Sequence, residues 1–289
     1  MEPKLTKEKL QVKVYTPDSQ IRNPGVFIRD LFADISKSQG LALQLAIRDI
    51  RTQYRQSFLG ILWAFVLPLA NTITWIFLNK TGVVKLDSTE IPYPLYVFSG
   101  TLLWSIFMES MQSPLKLTNA AKGILSKINF PREAIIFSGI YQSIFNGVIK
   151  IMLIVFTFMI FNIYPGWTLI LFPIAFISLV IAGTTVGLLA TPIGMLYTDI
   201  GKAIPLIMQF VMYITPVVFP IPKQGWAYYV FTYNPLTQII MVCRDWLAGN
   251  TSMFSNGFLV VNVIMIGLLF FALIIYKSVM PIIIERMNA

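Results

Sequence analysis

The sequence predicts an all-α integral membrane protein with six transmembrane helices. Of its 289 residues, 56% are hydrophobic and only 12% are charged, so one soluble core could not bury the apolar surface. A helix needs about 20 apolar residues to cross roughly 30 Å of hydrocarbon. Six runs qualify as spans, at residues 58–78, 95–113, 134–161, 167–196, 203–219 and 258–276.

The chain before the first span predicts a cytoplasmic segment over residues 1–57, ahead of a transmembrane domain over residues 58–289. Within this segment, Phe27, Leu31 and Ile35 recur at helical spacing after a proline that suits the first helical position. This spacing predicts an amphipathic helix at the membrane surface. The first 30 residues contain no apolar run, so we expect no cleaved signal peptide.

Three arginines lie on one side of the next helical stretch. Leu43 and Ile47 belong to its apolar side, whereas Arg48, Arg51 and Arg55 lie about a quarter-turn away at about 100° per residue. The arginines are either the basic flank of the first span or a bidentate site for a phosphate or pyrophosphate head group, which guanidinium groups suit better than ammonium groups. The residues alone leave both interpretations open.

The charges predict the partner class and the orientation. The net charge is +9, and the Lys and Arg residues lie between the apolar runs, so lipid head groups are favoured over nucleic acid. Of these basic residues, 17 lie on one side of the predicted spans and 4 on the other. The positive-inside rule therefore predicts that both termini are cytoplasmic.

Other segments depart from simple spans and loops. Residues 114–132, after the second span, mix apolar and basic side chains and form either a docking loop for a partner protein or a loop lying on lipid. The fifth span is short and has prolines at its ends, which predicts breaks there. Residues 220–257 predict short re-entrant helices in the outer leaflet. Their aromatics form an interfacial belt or, alternatively, stack on sugars or close a pore.

Several kinds of chemistry are disfavoured by the residue types. The chain has no His, a single cysteine at Cys243, and no G-x-x-x-x-G-K-[ST] phosphate loop. These absences disfavour a metal site, His-based acid–base catalysis and ATP hydrolysis by the chain itself. We therefore predict no catalytic residue, no metal and no cofactor in this chain, and an energy source outside it.

Two charged residues fall inside predicted spans. Glu109 lies about 6 Å from the inner end of the second span, and Lys150 lies about 24 Å from the inner end of the third. This difference in depth predicts that the two residues do not pair. We expect Lys150 to face a polar cavity or a subunit interface rather than lipid.

One long run resembles a known family. The sequence from Arg48 to Trp63, followed by Pro68-Leu69, resembles the opening signature of the ABC-2 type permeases that export bacterial polysaccharides. The resemblance covers roughly residue 41 to the C-terminus. It continues at residues 127–133, 197–200 and 215–217, and at Asn234-Pro235-Leu236 followed by Arg244.

The resemblance implies a homodimeric permease in a bacterial inner membrane, paired with two copies of a separate ATPase that binds ATP and Mg. It also implies a cargo glycan, such as O antigen, capsule or teichoic acid, linked to undecaprenyl or another polyprenyl pyrophosphate. In that case Arg48, Arg51 and Arg55 bind the head group, and residues 220–257 form an outer gate. The candidates for lining the tunnel are Tyr54, Phe210, Tyr213, Trp226 and Lys150, and those for coupling to the ATPase are Leu115, Lys116, Ile124, Leu125, Lys127 and Ile128.

Other functions are compatible with parts of the sequence. An ABC-2 exporter of a small amphiphile, such as a drug or a lipid, would share the fold and the energy source. A membrane enzyme acting on lipid-linked sugars would need clustered intramembrane carboxylates or His residues, which this chain lacks. A scaffolding membrane protein would leave the broken fifth span and the aromatic outer segment unexplained.

Overall fold

The computed structural model describes residues 24–55, 62–82, 89, 91–125 and 131–288. Within these ranges the chain is helical and contains no strand, which confirms the all-α prediction there. The α-helices in chain order are α1 (Pro24–Arg55), α2 (Trp63–Lys80), α3 (Tyr93–Leu125), α4 (Glu133–Ile160), α5 (Phe172–Leu196), α6 (Thr198–Tyr213), α7 (Trp226–Tyr233), α8 (Pro235–Leu247) and α9 (Ser255–Asn288). A 3₁₀ helix, Trp167–Ile170, precedes α5.

Three helices in the described part of the chain are long and apolar enough to cross a membrane. They are Glu133–Ile160, Phe172–Leu196 and Ser255–Ile283, which correspond to the third, fourth and sixth predicted spans. Helix α6, in the fifth predicted span, has only 16 residues. It is therefore about 24 Å long, which is shorter than the hydrocarbon layer. The total of six spans stays a prediction.

Helix α3 is longer than the apolar run that predicted it. The run ends at residue 113, but the helix passes Pro114 and continues to Leu125. The prediction of a loop over residues 114–132 is therefore wrong for residues 114–125. The physical reason is that a loss of apolar residues marks where a helix leaves lipid, and not where the helix ends. Residues 126–130 lie outside the described residues.

Helix α1 is one continuous helix of 32 residues, where the sequence indicated two successive helical stretches. It packs mainly against α4, and Phe32 near its start stacks on Phe270 of α9 with the ring centroids 5.9 Å apart. Leu31 and Ala42 on its inner side are buried, whereas Leu43 is half exposed. One side of α1 thus packs on the spans, and apolar side chains such as Leu43 remain exposed outside this contact, as in a helix that lies at a membrane surface.

The core lies where α3 packs against α4 and α5, and α9 packs against α5. Two small residues of α5, one turn apart, allow the closest of these approaches. A Cβ on Gly187 would overlap the main chain of Met111 in α3, and one on Gly183 would crowd the Phe107 carbonyl. Small residues let membrane helices approach backbone to backbone in this way. The close contact between α5 and α3 fixes the position of α3 in the bundle, and with it the position of polar side chains such as Glu109.

Candidate functional site

The arginine side of α1 is exposed near the C-terminal end of the helix. Arg48, Arg51 and Arg55 are all exposed and lie on successive turns. Arg48 donates from Nε to Asp49 Oδ1 over 2.8 Å, so part of its charge is compensated within the helix. Arg51 and Arg55 have no acidic partner among the residues that the structure describes. Their guanidinium groups are therefore available to an anion.

A shallow depression lies beside these arginines on the surface of α1. It is lined by Gln44, Ile47, Arg48, Arg51 and Thr52. Two guanidinium groups, one amide and one hydroxyl thus line the depression together with one apolar side chain, that of Ile47. This combination suits a ligand with an anionic head and an apolar tail, because guanidinium groups bind oxyanions in a bidentate manner.

Glu109 and Lys150 form an ion pair between α3 and α4. Lys150 Nζ lies 2.8 Å from Glu109 Oε2, so the prediction that these residues do not pair is wrong. The error comes from measuring depth to the end of the apolar run instead of the end of the helix. Glu109 lies about 24 Å along α3 from Leu125, and Lys150 lies about 26 Å along α4 from Glu133. The two side chains are therefore level.

This ion pair continues to α1 through Asn146. The Asn146 side-chain NH₂ group donates to Glu109 Oε1, and its Oδ1 accepts a hydrogen bond from Tyr54 Oη over 2.8 Å. Tyr54 is half-buried and Lys150 is buried. Their role in lining a tunnel stays a prediction. Within this subunit, the polar atoms of both side chains are engaged in the contacts between α1, α3 and α4.

The other tunnel candidates lie on α6 and α7. Phe210 is 67% exposed and Trp226 is 79% exposed. Tyr213 instead packs among aromatic rings, with centroids 6.2 Å from Trp75 of α2 and 6.2 Å from Phe219. The structure therefore brings Tyr213 together with Trp75, which sequence analysis missed because nothing in a uniformly apolar run indicates which way one ring faces.

Arg244 is a buried residue to which the sequence assigned no role. It lies on α8, is 2% exposed, and donates from Nη2 to the Pro216 carbonyl over 2.9 Å and to the Tyr96 carbonyl over 3.3 Å. Its guanidinium carbon lies 3.7 Å from the centre of the Tyr96 ring. Because α6 ends at Tyr213, the carbonyls that follow lack helical donors, and Arg244 supplies donors in their place. The sequence did contain a signal for this role, which is a charged residue within an apolar segment. Such a charge needs hydrogen-bond acceptors when it is buried.

Asn234 joins the start of α8 to the same helix break. Its Nδ2 donates to Thr215 Oγ1 over 2.8 Å. Its Oδ1 accepts a hydrogen bond from the Leu236 backbone N–H over 3.0 Å, which caps α8. The motifs at residues 215–217 and 234–236, which are far apart in the sequence, therefore form one structural unit.

The predicted coupling positions divide between the core and the surface. Leu115 and Leu125 are buried, in a cluster that also contains residues of α1 and α9. Lys116 is exposed on α3. The two leucines therefore hold the end of α3 in the subunit, whereas Lys116 is accessible to a partner. Lys127, Ile128 and the side chain of Ile124 lie outside the described part of the structure.

A family model described as ABC-2 type transporter matches residues 41–248, which is most of the chain. The chain belongs to the ABC-2 type transporter family. The matched region begins inside α1, so it includes the three arginines, and it ends directly after α8. This assignment makes the chain a membrane component of a transporter rather than an enzyme in its own right. Among the described residues, no group of three His, Cys, Asp or Glu side chains could hold a metal ion.

Several named relatives of this ABC-2 chain are polysaccharide export or transport proteins. An O-antigen export system permease protein of Myxococcus xanthus is 28% identical over 50% of this chain and 54% of its own length. A polysialic acid transport protein of Escherichia coli is 24% identical over 70% of this chain and 78% of its own length. An O-antigen export system permease protein of Klebsiella pneumoniae is 27% identical over 83% of this chain and 88% of its own length. The chain thus matches about half of the Myxococcus protein and most of the other two.

Proposed function

We propose that this ABC-2 chain is the permease of an ATP-driven exporter for a lipid-linked polysaccharide. The observation that carries the proposal is the similarity, over most of the chain, to proteins named for O-antigen export and polysialic acid transport. The exposed arginine side of α1 supports it, because a lipid carrier with a pyrophosphate needs such a site. An exporter of a small amphiphile would share the fold, but the named relatives favour the polysaccharide.

In this proposal the head group of the carrier lipid binds Arg48, Arg51 and Arg55. An undecaprenyl or other polyprenyl pyrophosphate presents several anionic oxygens, and each guanidinium fork binds two of them at once. Arg51 and Arg55 contribute most, because Arg48 shares its charge with Asp49. The exposed apolar side chains of α1 support a place at the membrane surface, where a lipid head group lies.

The proposed membrane arrangement has six spans in a bacterial inner membrane, with both termini in the cytoplasm. Residues 1–57 form the cytoplasmic and interfacial segment, and residues 58–289 form the transmembrane domain. Helices α2, α3 and α6 join the three long apolar helices as spans. Helices α7 and α8 form the re-entrant outer segment, and the bonds from α8 to the end of α6 support this assignment, since a broken helix in lipid needs such donors.

The proposed complex contains two copies of this chain and two copies of a separate ATPase that binds ATP and Mg. The C-terminal end of α3 and the residues that follow it receive the movement of the ATPase, with Lys116 at the surface. The glycan passes between the two permease copies, beside Tyr54, Phe210, Tyr213, Trp226 and Lys150. The exposure of Phe210 and Trp226 supports this path, because sugar rings stack on aromatic faces.

The test compares two double variants that remove equal charge from α1. The first is Arg51→Ala with Arg55→Ala. The control, Arg29→Ala with Lys37→Ala, removes two exposed positive charges from the N-terminal half of the helix. Each is reconstituted in lipid with its ATPase, and ATP hydrolysis is followed with and without polyprenyl-pyrophosphate glycan. We expect the glycan lipid to change turnover in the wild type and the control, and the first variant to lose most of that response while still assembling.

The other outcomes have separate meanings. If the two double variants respond equally to the glycan lipid, the arginines do not bind the head group. If small amphiphiles change turnover and the glycan lipid does not, the proposed cargo is wrong. If no ATPase associates with the chain, the proposed complex itself is wrong.

A further inference from the structure

Four polar side chains form a continuous network across α1, α3 and α4. Tyr54 Oη donates to Asn146 Oδ1 over 2.8 Å, Asn146 Nδ2 donates to Glu109 Oε1, and Lys150 Nζ donates to Glu109 Oε2 over 2.8 Å. Both carboxylate oxygens therefore have donors. The side chains of Lys150 and Glu109 are 11% and 32% exposed, so the ion pair is mostly buried within the subunit.

The ion pair sets the orientation of the Asn146 amide. An ionised carboxylate only accepts hydrogen bonds, so Asn146 turns its NH₂ group toward Glu109. Its oxygen then faces Tyr54 and accepts the phenolic O–H. A charge within an apolar helix is costly unless it is paired, so Glu109 and Lys150 keep this arrangement and the amide stays oriented. The Tyr54 hydroxyl thus meets an acceptor whose direction is already determined.

Tyr54 lies within about one helical turn of two of the head-group arginines. Arg51 precedes it by one turn and Arg55 follows it directly, at the end of α1. Residues this close on one helix rotate and shift together, because the backbone hydrogen bonds of the turn hold them as one unit. A bond from Tyr54 to α4 therefore limits the movement of the backbone that carries both arginines.

Two other hydrogen bonds join α1 to α4 at earlier turns. Gln142 Nε2 donates to Asp49 Oδ2 over 3.2 Å, and Tyr141 Oη donates to Gln39 Oε1 over 2.5 Å. The Tyr54 network differs from them because it continues through Asn146 to α3. Helix α3 is the helix whose C-terminal end carries the proposed coupling residues, so the arginine turn is tied to that helix as well as to α4.

We propose that Tyr54 is a positioning residue for the head-group site. Through Asn146 and Glu109, it holds the turn that carries Arg51 and Arg55 at a fixed register against α3 and α4. The carrier lipid then meets two arginines whose backbone is already fixed, which lowers the part of the ordering cost on binding that comes from the backbone. The identity of the ligand rests on the proposed function, whereas the link from Tyr54 to α3 rests on geometry alone.

The test removes one hydroxyl at a time from the interface between α1 and α4. Tyr54→Phe keeps the ring, which packs edge-on against Phe145 at 6.2 Å, and removes only the donor. Tyr141→Phe is the matched control at the same interface. In the reconstituted complex, we expect Tyr54→Phe to raise the half-saturating concentration of polyprenyl-pyrophosphate glycan about five-fold, the equivalent of one hydrogen bond. We expect Tyr141→Phe to raise it less than about two-fold.

A second measurement follows the helix end without any cargo. A spin label on Gln53→Cys, an exposed position of α1, reports the mobility of the arginine turn. Cys243 is fully buried, so the label goes to the introduced thiol. We expect Tyr54→Phe to increase the mobility of the label and Tyr141→Phe to leave it unchanged. Asn146→Leu should increase the mobility of the label at least as much as Tyr54→Phe, because it breaks the bond to Tyr54 and also removes a donor from Glu109. The double variant should show no more than the effect of Asn146→Leu alone, because both changes break the bond between Tyr54 and Asn146.

The outcomes separate this inference from the proposed function. If Tyr54→Phe leaves both the label mobility and the half-saturating concentration unchanged, the positioning role is wrong, even where the complex still responds to the glycan lipid. If Tyr54→Phe and Tyr141→Phe have equal effects, any hydrogen bond between α1 and α4 positions the arginine turn equally well, and the network through Asn146 has no special role. If the wild type ignores the glycan lipid, the proposed function fails, and the label mobility alone then decides the role of Tyr54.

Discussion

Arg244 shows how one buried side chain holds a broken helix end. The main chain after α6 turns at Pro216, and its carbonyls find donors on the guanidinium group of α8. Gly100 of α3 makes room for this contact, since a Cβ there would overlap the Val217 carbonyl oxygen and crowd Arg244. A buried charge is tolerated where several acceptors surround it. Particular residues, Arg244 and Gly100, therefore stabilise the break after α6.

Replacing Arg244 should destabilise the protein in proportion to the donors lost. We expect Arg244→Met to lower the free energy of unfolding by about 2 kcal/mol, because the buried Val217 carbonyl loses its donor and the Pro216 carbonyl keeps only the Tyr96 hydroxyl. Arg244→Lys should recover part of this loss, since an ammonium group reaches fewer of them than a guanidinium fork. Thermal unfolding followed by the reaction of a maleimide dye with Cys243 measures the effect, because that single thiol is fully buried in the folded chain.

Lys223→Met is the control for this experiment, because Lys223 is an exposed basic residue between α6 and α7. We expect its dye reaction to follow that of the wild type. An Arg244→Met variant that unfolds together with the control would mean that other contacts hold the break.

At the scale of elements, helix α3 shows that the part of a helix that lies in lipid and the full length of that helix are different quantities, although a hydropathy pattern does not distinguish them. Its apolar run predicted where the helix lies in lipid, but the helix itself continues for three further turns, from Pro114 to Leu125. Beyond the apolar run, helix propensity and packing against α1, α5 and α9 keep the chain helical. The level of Glu109 was misjudged for this reason, because the depth of a residue in a bundle depends on the whole helix.

The approach of α5 to α3 can be tested with one added methyl group. We expect Gly187→Ala to destabilise the protein by about 1 to 3 kcal/mol, because the new Cβ would overlap the main chain of Met111 and a backbone cannot move aside cheaply. Gly267→Ala in α9 is the matched control, since no atom lies within 4 Å of its Cβ position. The control should be neutral or slightly stabilising, because Ala favours a helix over Gly by about 1 kcal/mol.

The same reaction of Cys243 with the dye measures both glycine variants. Equal unfolding temperatures for Gly187→Ala and Gly267→Ala would contradict the close packing of α5 on α3.

At the scale of the whole molecule, the proposed orientation rests on the distribution of charge and can be tested with two exposed lysines. We expect a membrane-impermeant maleimide to label Lys223→Cys in intact spheroplasts and to label Lys116→Cys only after permeabilisation. The reason is that the positive-inside rule places the basic side of the bundle in the cytoplasm. Both positions are exposed, and native Cys243 is buried and contributes little background. The reverse labelling pattern would invert the proposed topology.

Much of this molecule follows from local patterns in the chain. Hydropathy predicted an all-α membrane fold, and the prolines from Pro216 onward predicted a break after α6. The break predicted at the other end of the fifth span is wrong at Pro205, because α6 begins at Thr198 and continues through that proline. The run beginning at Arg48 was enough to indicate the family that the match over residues 41–248 establishes. Helical periodicity also predicted an exposed arginine side on α1. These features are readable because each depends on residues that lie within a few turns of one another.

The sequence by itself therefore determined the class, the family and the exposed arginines, whereas only the tertiary structure decided which buried polar groups meet. Glu109 and Lys150 are 41 residues apart in the chain, and Arg244 and Pro216 are 28 residues apart. Whether such residues pair depends on where separate helices end and how closely their backbones approach. No local pattern encodes those distances, because they are set by packing contacts such as that between Gly187 and Met111.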